Sequence, residues 1–233
     1  MQYSFIPRKN MRGKKYKNII EKIKKDEIYS IEETLTLLKD NQISKFDESV
    51  EVHINSNIDP KKSDQQIRGS VVLPHGTGKT KKVAVITSTK EKEANDAKAD
   101  LVEGEDLIED IKKGKINFDV LIATPEMMPK LVQVAKILGP KGLMPNPKTD
   151  TVTDKVKEAI EMIKKGKANF KNDNTGNVHQ TIGKVSFKKE QLEENFDIFI
   201  KAVKKSKGEG VKGKLINKIV ICSTMSPGIK VKA

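Results

Sequence analysis

The hydrophobic pattern of this chain changes twice, at glycines 76–78 and again at Gly166, and no other feature constrains the fold as much. Between these glycines, short apolar segments alternate with stretches of helical periodicity. Segments such as "VAVI" and "FDVLIATP" are nearly continuous apolar runs, which is typical of parallel strands covered on both faces. Alternation of strands and helices predicts a small α/β layer structure for residues 77–166.

The two ends of the chain follow a different pattern. In "FDESVEVHINSNID" the apolar residues Val50, Val52 and Ile54 alternate with polar ones, which predicts a half-buried strand. Residues 190–205 have the spacing of an amphipathic helix. Ser30 and Glu33 have the Ser-x-x-Glu spacing of a capping box and predict a helix start there. Further helices are predicted at 16–25 and 127–138.

Charge divides the chain at the same two points. Residues 77–166 hold 17 basic and 15 acidic side chains, a net of +2, while the remainder holds 28 and 17, a net of +11. We therefore predict that residues 1–76 and 167–233 form one split domain, into which residues 77–166 are inserted as a second. Gly76, Gly78 and Gly166 at the crossings would permit hinge motion. The alternative is one continuous sheet with a merely neutral middle.

The composition excludes several classes of protein. No apolar run approaches the ~20 residues of a membrane span, and the first residues lack the apolar stretch of a secretory signal. One cysteine excludes an intramolecular disulfide framework. Three scattered histidines leave little material for a metal site, so neither a metal nor a cofactor is predicted. The result is a cytosolic, basic protein without a membrane partner.

A formal charge of +13 favours a polyanionic partner, most often nucleic acid. The alternative is that the lysines serve solubility only. Lys45 and Phe46 come just before a predicted strand, where Phe46 either packs in the core or offers a flat face to a base. Thr224, Met225 and Ser226 follow the last predicted strand, where hydroxyl groups suit ribose and phosphate contacts. The stiff loop "LGPKGLMPNPKTDTVT" exposes Lys141 and Lys148 to a macromolecule or to solvent.

Two enzymatic interpretations are weak. "HGTGKT" resembles a phosphate-binding loop, but Leu73 stands where that motif requires glycine, and a strand follows where it requires a helix. Cys222 with His179 could be imagined as a nucleophile and its base. However, a cysteine in the apolar run "IVICST" is usually a small buried hydrophobic residue. We therefore predict that the chain is not an enzyme.

Several separated segments closely resemble the L-one family of large-subunit ribosomal proteins, of bacterial type. These are "KFDESVEVHINSNIDPKKSDQQIRGSVVLPHGTGK", "FDVLIATPEMM", "LGPKGLMPNPKTDTVT", "NFKNDNTGNVHQTIGKVSF" and "TMSPG". The likeness runs from about Lys14 to the end and leaves out the first ten residues. Asp150 stands where the family usually has glycine.

The resemblance implies an α/β fold with a discontinuous α+β split domain and an inserted Rossmann-like domain. It implies binding to 23S-type rRNA at the mobile stalk of the large subunit and help in releasing deacylated tRNA from the exit site. It also implies repression of the protein's own mRNA. Phe46, Thr224, Met225 and Ser226 would contact RNA, although many members have glycine at the last position. Weaker candidates on the same segments are Lys45, Lys171, His179, Lys184 and Ser186.

Two alternative functions remain possible from the sequence. A nucleotide-dependent enzyme would use "GTGKT", and a DNA-compacting protein would use its charge without preference for sequence or shape.

Overall fold

The fold was analysed in a computed structural model. It describes residues 13–24, 27–62, 64–88, 90–104, 106–208, 210–211 and 213–232. The basic start of the chain, Lys25 at the predicted end of the first helix, and the side chain of Lys148 lie outside this description.

A four-stranded antiparallel sheet is built from both ends of the chain, in the order β7-β1-β8-β9. Its strands are β1 (Ser49–Ser56), β7 (Asn177–Lys184), β8 (Ile216–Ser223) and β9 (Ile229–Val231). The predicted alternation in β1 is confirmed, because Val50, Val52 and Ile54 are buried. The short strand β9 was not predicted from the sequence.

Three helices cover the apolar face of this sheet: α1 (Lys14–Lys22), α2 (Ile31–Asp40) and α8 (Lys189–Lys205). Helix α2 begins with the predicted capping box, in which Ser30 Oγ accepts the Glu33 amide and the Glu33 carboxylate accepts the Ser30 amide. Such caps stabilise a helix by about 1 kcal/mol. In the part of the chain that the structure describes, no helix is long and apolar enough to cross a bilayer.

A second, parallel sheet is formed by the central residues, in the order β4-β3-β5. Its strands are β3 (Val83–Ile86), β4 (Leu101–Glu103) and β5 (Val120–Ala123). Side chains of β3 alternate between two apolar clusters, which confirms the prediction of a parallel sheet buried on both faces. The flanking helices are α3 (Glu91–Asp96), α4 (Asp106–Lys112) and α7 (Val156–Lys164).

The prediction of a single helix over 127–138 is wrong. The segment consists of a 3-10 turn (Pro125–Met127), α5 (Met128–Leu131), a second 3-10 turn (Val132–Val134) and α6 (Ala135–Leu138). Pro129 lies in the first turn of α5, where a missing amide hydrogen breaks no ladder bond, and the interruption falls at the 3-10 turn Val132–Val134. Leu131, Val134 and Leu138 still share one buried face, so the apolar periodicity survives in a broken helix.

The two crossings between the outer and central segments lie side by side. Gly166 has a φ of +103°, and a Cβ placed on it would stand 2.6 Å from the Cα of Gly76. Asn195 of α8, fully buried, donates to the Gly76 carbonyl at 3.1 Å and accepts the His75 amide at 3.3 Å. Strand β2 (Arg68–Val72), just before the first crossing, pairs with strand β6 (Lys167–Lys171), just after the second, in a two-stranded antiparallel ribbon.

Buried apolar residues fall into separate clusters along the same division. One cluster draws on residues from Ile19 to Leu73 and from Ala168 to Val231. The other two draw on residues from Val83 to Ile163. The chain therefore has a mixed α/β fold with several sheets, in which the outer segments share one core.

Candidate nucleic-acid interface

Two loops meet at one end of the four-stranded sheet, one leading into β1 and one leaving β8. Strand pairing brings them together, because Val50 lies opposite Ser223 in the register. Thr224 extends this pairing. Its amide donates to the Ser49 carbonyl at 3.1 Å, and its Oγ1 accepts the Ser49 amide at 3.0 Å.

The buried carboxylate of Glu48 ties these loops to each other. Glu48 Oε1 accepts hydrogen bonds from the amide and the hydroxyl of Ser44, at 2.9 and 2.7 Å. Its Oε2 accepts the Ser223 hydroxyl and, at 3.3 Å, the Met225 amide. Burial alone would raise the pKa of Glu48, but the hydrogen bonds from Ser223, Ser44 and Met225 outweigh it and hold the pKa below its ordinary value.

Phe46 and Met225 project from these two loops into solvent. Phe46 is 54% exposed and Met225 is 49% exposed, which places both among the exposed large apolar side chains of the chain. Of the two interpretations of Phe46, the structure supports the exposed one. Adjacent Lys45 is also exposed. Exposed apolar groups held on ordered loops suit a contact surface.

A third loop, which follows β7, joins this platform through Asp47. The Asp47 carboxylate accepts the amide and hydroxyl of Ser186, at 3.1 and 2.9 Å. Lys184 Nζ donates to the Asp47 carbonyl at 3.2 Å and to Ser49 Oγ at 3.0 Å. The structure therefore places Lys184 and Ser186 beside the Phe46 loop, and Asp47 and Glu48 hold the three loops in one arrangement.

Ser226 turns its hydroxyl toward its own loop. Its Oγ accepts the Ser223 amide at 2.7 Å and lies 3.2 Å from the Pro227 carbonyl. The side chain that replaces the family's usual glycine thus closes the turn that presents Met225. We call the loops 44–48, 184–186 and 223–226 together the loop platform.

The remaining two candidates, His179 and Lys171, lie on different sheets, away from the platform. His179 is on β7 opposite His53 of β1, five residues from Lys184. Lys171 ends β6, where it pairs with Arg68. At about 3.3 Å per strand residue, the His179 end of β7 is more than 15 Å from the platform. The structure therefore does not bring His179 together with Phe46 and Met225. Lys171 adjoins the same far end of β7, because the next residue, Asn172, bridges Val178.

The polar face of the sheet carries a cluster that the sequence did not predict. His53 Nδ1 lies 2.8 Å from His179 Nδ1, and His53 Nε2 lies 3.1 Å from Cys222 Sγ. The histidines are thus not scattered, since strand pairing joins two of them to the cysteine. Burial and the His179 ring lower the pKa of His53, against the influence of Glu51.

This geometry argues against the nucleophile that pairs Cys222 with His179. His53, rather than His179, is the histidine that meets the sulfur. Burial and the nearby Glu51 carboxylate raise the pKa of Cys222 to about 11, so the thiol stays protonated at neutral pH. The phosphate-loop interpretation of "HGTGKT" also lacks its helix, because Lys79 is followed by strand β3.

Glu48, Asp47 and His53 were not among the predicted site residues. A signal for Glu48 was present, because positions 48, 50, 52 and 54 share one phase of the strand. An acidic residue in the inward phase must find hydrogen-bond donors, which marks it as a structural anchor. Asp47 and His53 carried no comparable local signal.

Comparison with known proteins agrees with this architecture. Residues 38–227 match the "Ribosomal protein L1p/L10e family". The chain is 54% identical over 221 residues to the "Large ribosomal subunit protein uL1" of Mycoplasma capricolum subsp. capricolum, which covers 94% of this chain and 98% of that protein. Proteins of the same name from Mesoplasma florum and Mycoplasma mycoides subsp. mycoides are 54% and 53% identical, again over 94% of this chain.

The matching family and these relatives define a structural, non-enzymatic protein of the large ribosomal subunit. RNA binding is the general property of this class, and the ribosome is its place in the cell. The chain belongs to the ribosomal protein L1p/L10e family, as the resemblance of its motifs predicted.

Proposed function

We propose that the chain binds 23S-type rRNA at the mobile stalk through the loop platform. The observation that carries the proposal is the exposure of Phe46 and Met225 on loops anchored by the buried Glu48 carboxylate. Ordered loops let a flat ring and a polarizable thioether meet bases or riboses with little loss of conformational entropy. Thr224 and Ser226 shape the loop beside them.

Charge supports the same surface. The outer segments hold +11 of the chain's net charge of +13. Lys45, Lys184 and Ser186 flank the exposed pair. In the proposal these residues contact phosphate and ribose oxygens, which suits recognition of folded RNA by shape and 2′-hydroxyl groups. Lys171 and His179 would contact a helical extension of the RNA that runs along the polar face of the sheet.

A salt titration tests the electrostatic part. Filter binding of a stalk rRNA fragment should give a log–log slope of about −2 or steeper, since three phosphate contacts each contribute roughly −0.7 to −0.9. Structured RNA should outcompete duplex DNA of equal charge. A flat salt response contradicts the proposal, and equal competition by duplex DNA favours the DNA-compacting alternative.

We also propose that residues 1–76 and 167–233 form one domain and residues 77–166 an inserted Rossmann-like domain, with a hinge at Gly76, Gly78 and Gly166. Separate apolar clusters and adjacent crossing points support this division.

Deletion of the insert tests the two domains. Because the crossings adjoin, residue 76 can be rejoined to 167 through a short glycine linker. We expect cooperative unfolding and RNA affinity within about threefold of the native chain, a difference below 1 kcal/mol. An unfolded product would contradict the proposed boundaries.

In the ribosome, the inserted domain would swing on this hinge to meet exit-site tRNA and assist its release. The same loop platform would bind a look-alike structure in the protein's own mRNA and repress its translation. Both proposals rest on the family resemblance, and competition between the rRNA fragment and the mRNA leader tests the second one.

A further inference from the structure

Three side chains with metal-binding atoms converge on the polar face of the four-stranded sheet, next to the end that carries the loop platform. Glu51 and His53 occupy alternate positions of β1, so both point away from the buried core. Cys222 of β8 lies directly opposite Glu51 in the register. Non-local strand pairing therefore brings a carboxylate, an imidazole and a thiol together.

The three groups lie at distances that suit a shared ion. Their ligand atoms all lie within 4.8 Å of one another, and all three residues are partly buried. His53 Nε2 is 3.1 Å from Cys222 Sγ and 4.0 Å from Glu51 Oε2. Ligands around a tetrahedral Zn²⁺ are roughly 3.3–3.6 Å apart, given bond lengths of about 2.0–2.3 Å. The separation of His53 Nε2 and Glu51 Oε2 therefore exceeds this range by about half an ångström, and that of His53 Nε2 and Cys222 Sγ falls just below it.

Hydrogen bonds from neighbouring residues leave the lone pair of His53 Nε2 available to bind a metal ion. Asp173 accepts the Asn177 and Thr175 amides, at 2.7 and 2.9 Å, and its Oδ2 lies 3.4 Å from His179 Nε2. A carboxylate only accepts, so His179 Nε2 carries the proton. His179 Nδ1 then accepts from His53 Nδ1–H, which assigns the lone pair of His53 to Nε2, on the side of Cys222 and Glu51.

We propose that Glu51, His53 and Cys222 form a Zn²⁺-binding site, with His179 and Asp173 orienting the imidazole. The cysteine binds as thiolate and releases its proton to solvent. A water molecule completes the fourth position, because the site opens on the exposed sheet face. A sulfur ligand and an imidazole favour Zn²⁺ over Mg²⁺ and Ca²⁺, which prefer oxygen ligands. The site borders the loop platform, because Cys222 precedes Ser223, but Glu51, His53 and Cys222 are not platform residues. Its orienting residue His179 is also a proposed RNA contact.

Cobalt titration of the metal-free, full-length chain provides the test. The chain has one cysteine, so a thiolate-to-Co²⁺ charge-transfer band can arise only from Cys222. We expect this band to saturate at one ion per chain, to disappear when Zn²⁺ is added, and to persist in millimolar Mg²⁺. Absence of the band with excess Co²⁺, or its loss to Mg²⁺, would overturn the proposal.

Histidine variants assign the ligands. His53→Gln should weaken Zn²⁺ binding at least tenfold, and His179→Gln by about tenfold, as for outer-shell partners of metal-binding histidines. His75→Gln is the matched control, because His75 pairs with Glu194 elsewhere on the chain and should leave Zn²⁺ affinity unchanged. Equal Zn²⁺ affinities for His53→Gln and His75→Gln would contradict the assignment.

A measurement on the native chain keeps the test decisive if a variant unfolds. Alkylation of Cys222 by iodoacetamide should slow at least tenfold when one equivalent of Zn²⁺ is present, and a chelator should restore the rate. An unchanged rate at saturating Zn²⁺ would exclude Cys222 as a ligand.

Discussion

The double variant Phe46→Ala/Met225→Ala is expected to bind a stalk rRNA fragment about 100-fold more weakly than the native chain. Stacking on an exposed aromatic ring contributes roughly 1–3 kcal/mol per base, and loss of the thioether contact adds to this. Because both side chains are about half exposed, their removal leaves no cavity in the core. Filter binding at one fixed salt concentration measures the loss, and urea unfolding should show an unchanged midpoint.

Met162→Ala is the matched control for this experiment. Met162 is 41% exposed on α7, within the central segment. The Met162→Ala substitution therefore removes a similar exposed thioether outside the loop platform. Its RNA affinity should equal that of the native chain. If the double variant binds as tightly as Met162→Ala, the loop platform is not the RNA-binding surface.

Glu48→Gln is expected to lower both the stability of the protein and its RNA affinity. The buried carboxylate accepts four hydrogen bonds from Ser44, Ser223 and Met225. A glutamine amide would place an NH2 group, which has two donors, against groups that also donate. Charge-assisted hydrogen bonds contribute roughly 1.5–3 kcal/mol each, and the loss should reach about 3 kcal/mol of unfolding free energy. RNA affinity should fall about tenfold as the two loops separate.

Glu51→Gln, the same type of substitution within β1, provides the control for Glu48→Gln. Glu51 lies on the polar face with its side chain 39% exposed, so in the metal-free chain Glu51→Gln should change the unfolding free energy by less than about 0.5 kcal/mol. Equal stability of the Glu48→Gln and Glu51→Gln variants would show that the buried carboxylate does not anchor the loops.

Acid titration of stability adds a second readout. The folded pKa of Glu48 lies below the ordinary value of 4.5, so its stabilising contribution is complete above that pH. The contribution is lost as pH falls through the folded pKa, because the carboxylate must protonate. Glu48→Gln lacks this titrating group, so its stability should fall less steeply below pH 4.5 than that of the native chain. Parallel slopes would contradict the assigned shift.

The candidate site was predictable only in part. Phe46, Thr224 and Met225 were candidates because of their positions beside predicted strands and because their motifs resemble a family, and the structure places them on adjoining loops. Sequence periodicity did not decide whether Phe46 is buried or exposed. A residue just before a strand lies outside the alternating pattern, so that pattern does not assign it to either face. The broken helix after Pro125 shows the same limit, because apolar spacing reports which face is buried and not whether the hydrogen-bond ladder is continuous.

Much of the architecture was determined by the sequence itself. Alternation in β1, the capping box at Ser30 and the change of pattern at Gly166 arise from hydrogen bonds and burial between near neighbours, and these leave periodic traces in a sequence. The juxtaposition of residues on different strands was decided only by tertiary structure. Glu48 meets Ser223, and His53 meets both His179 and Cys222, because β1 lies between β7 and β8. More than 120 residues separate β1 from β7, and pairing across such a distance depends on the whole folded core rather than on local periodicity.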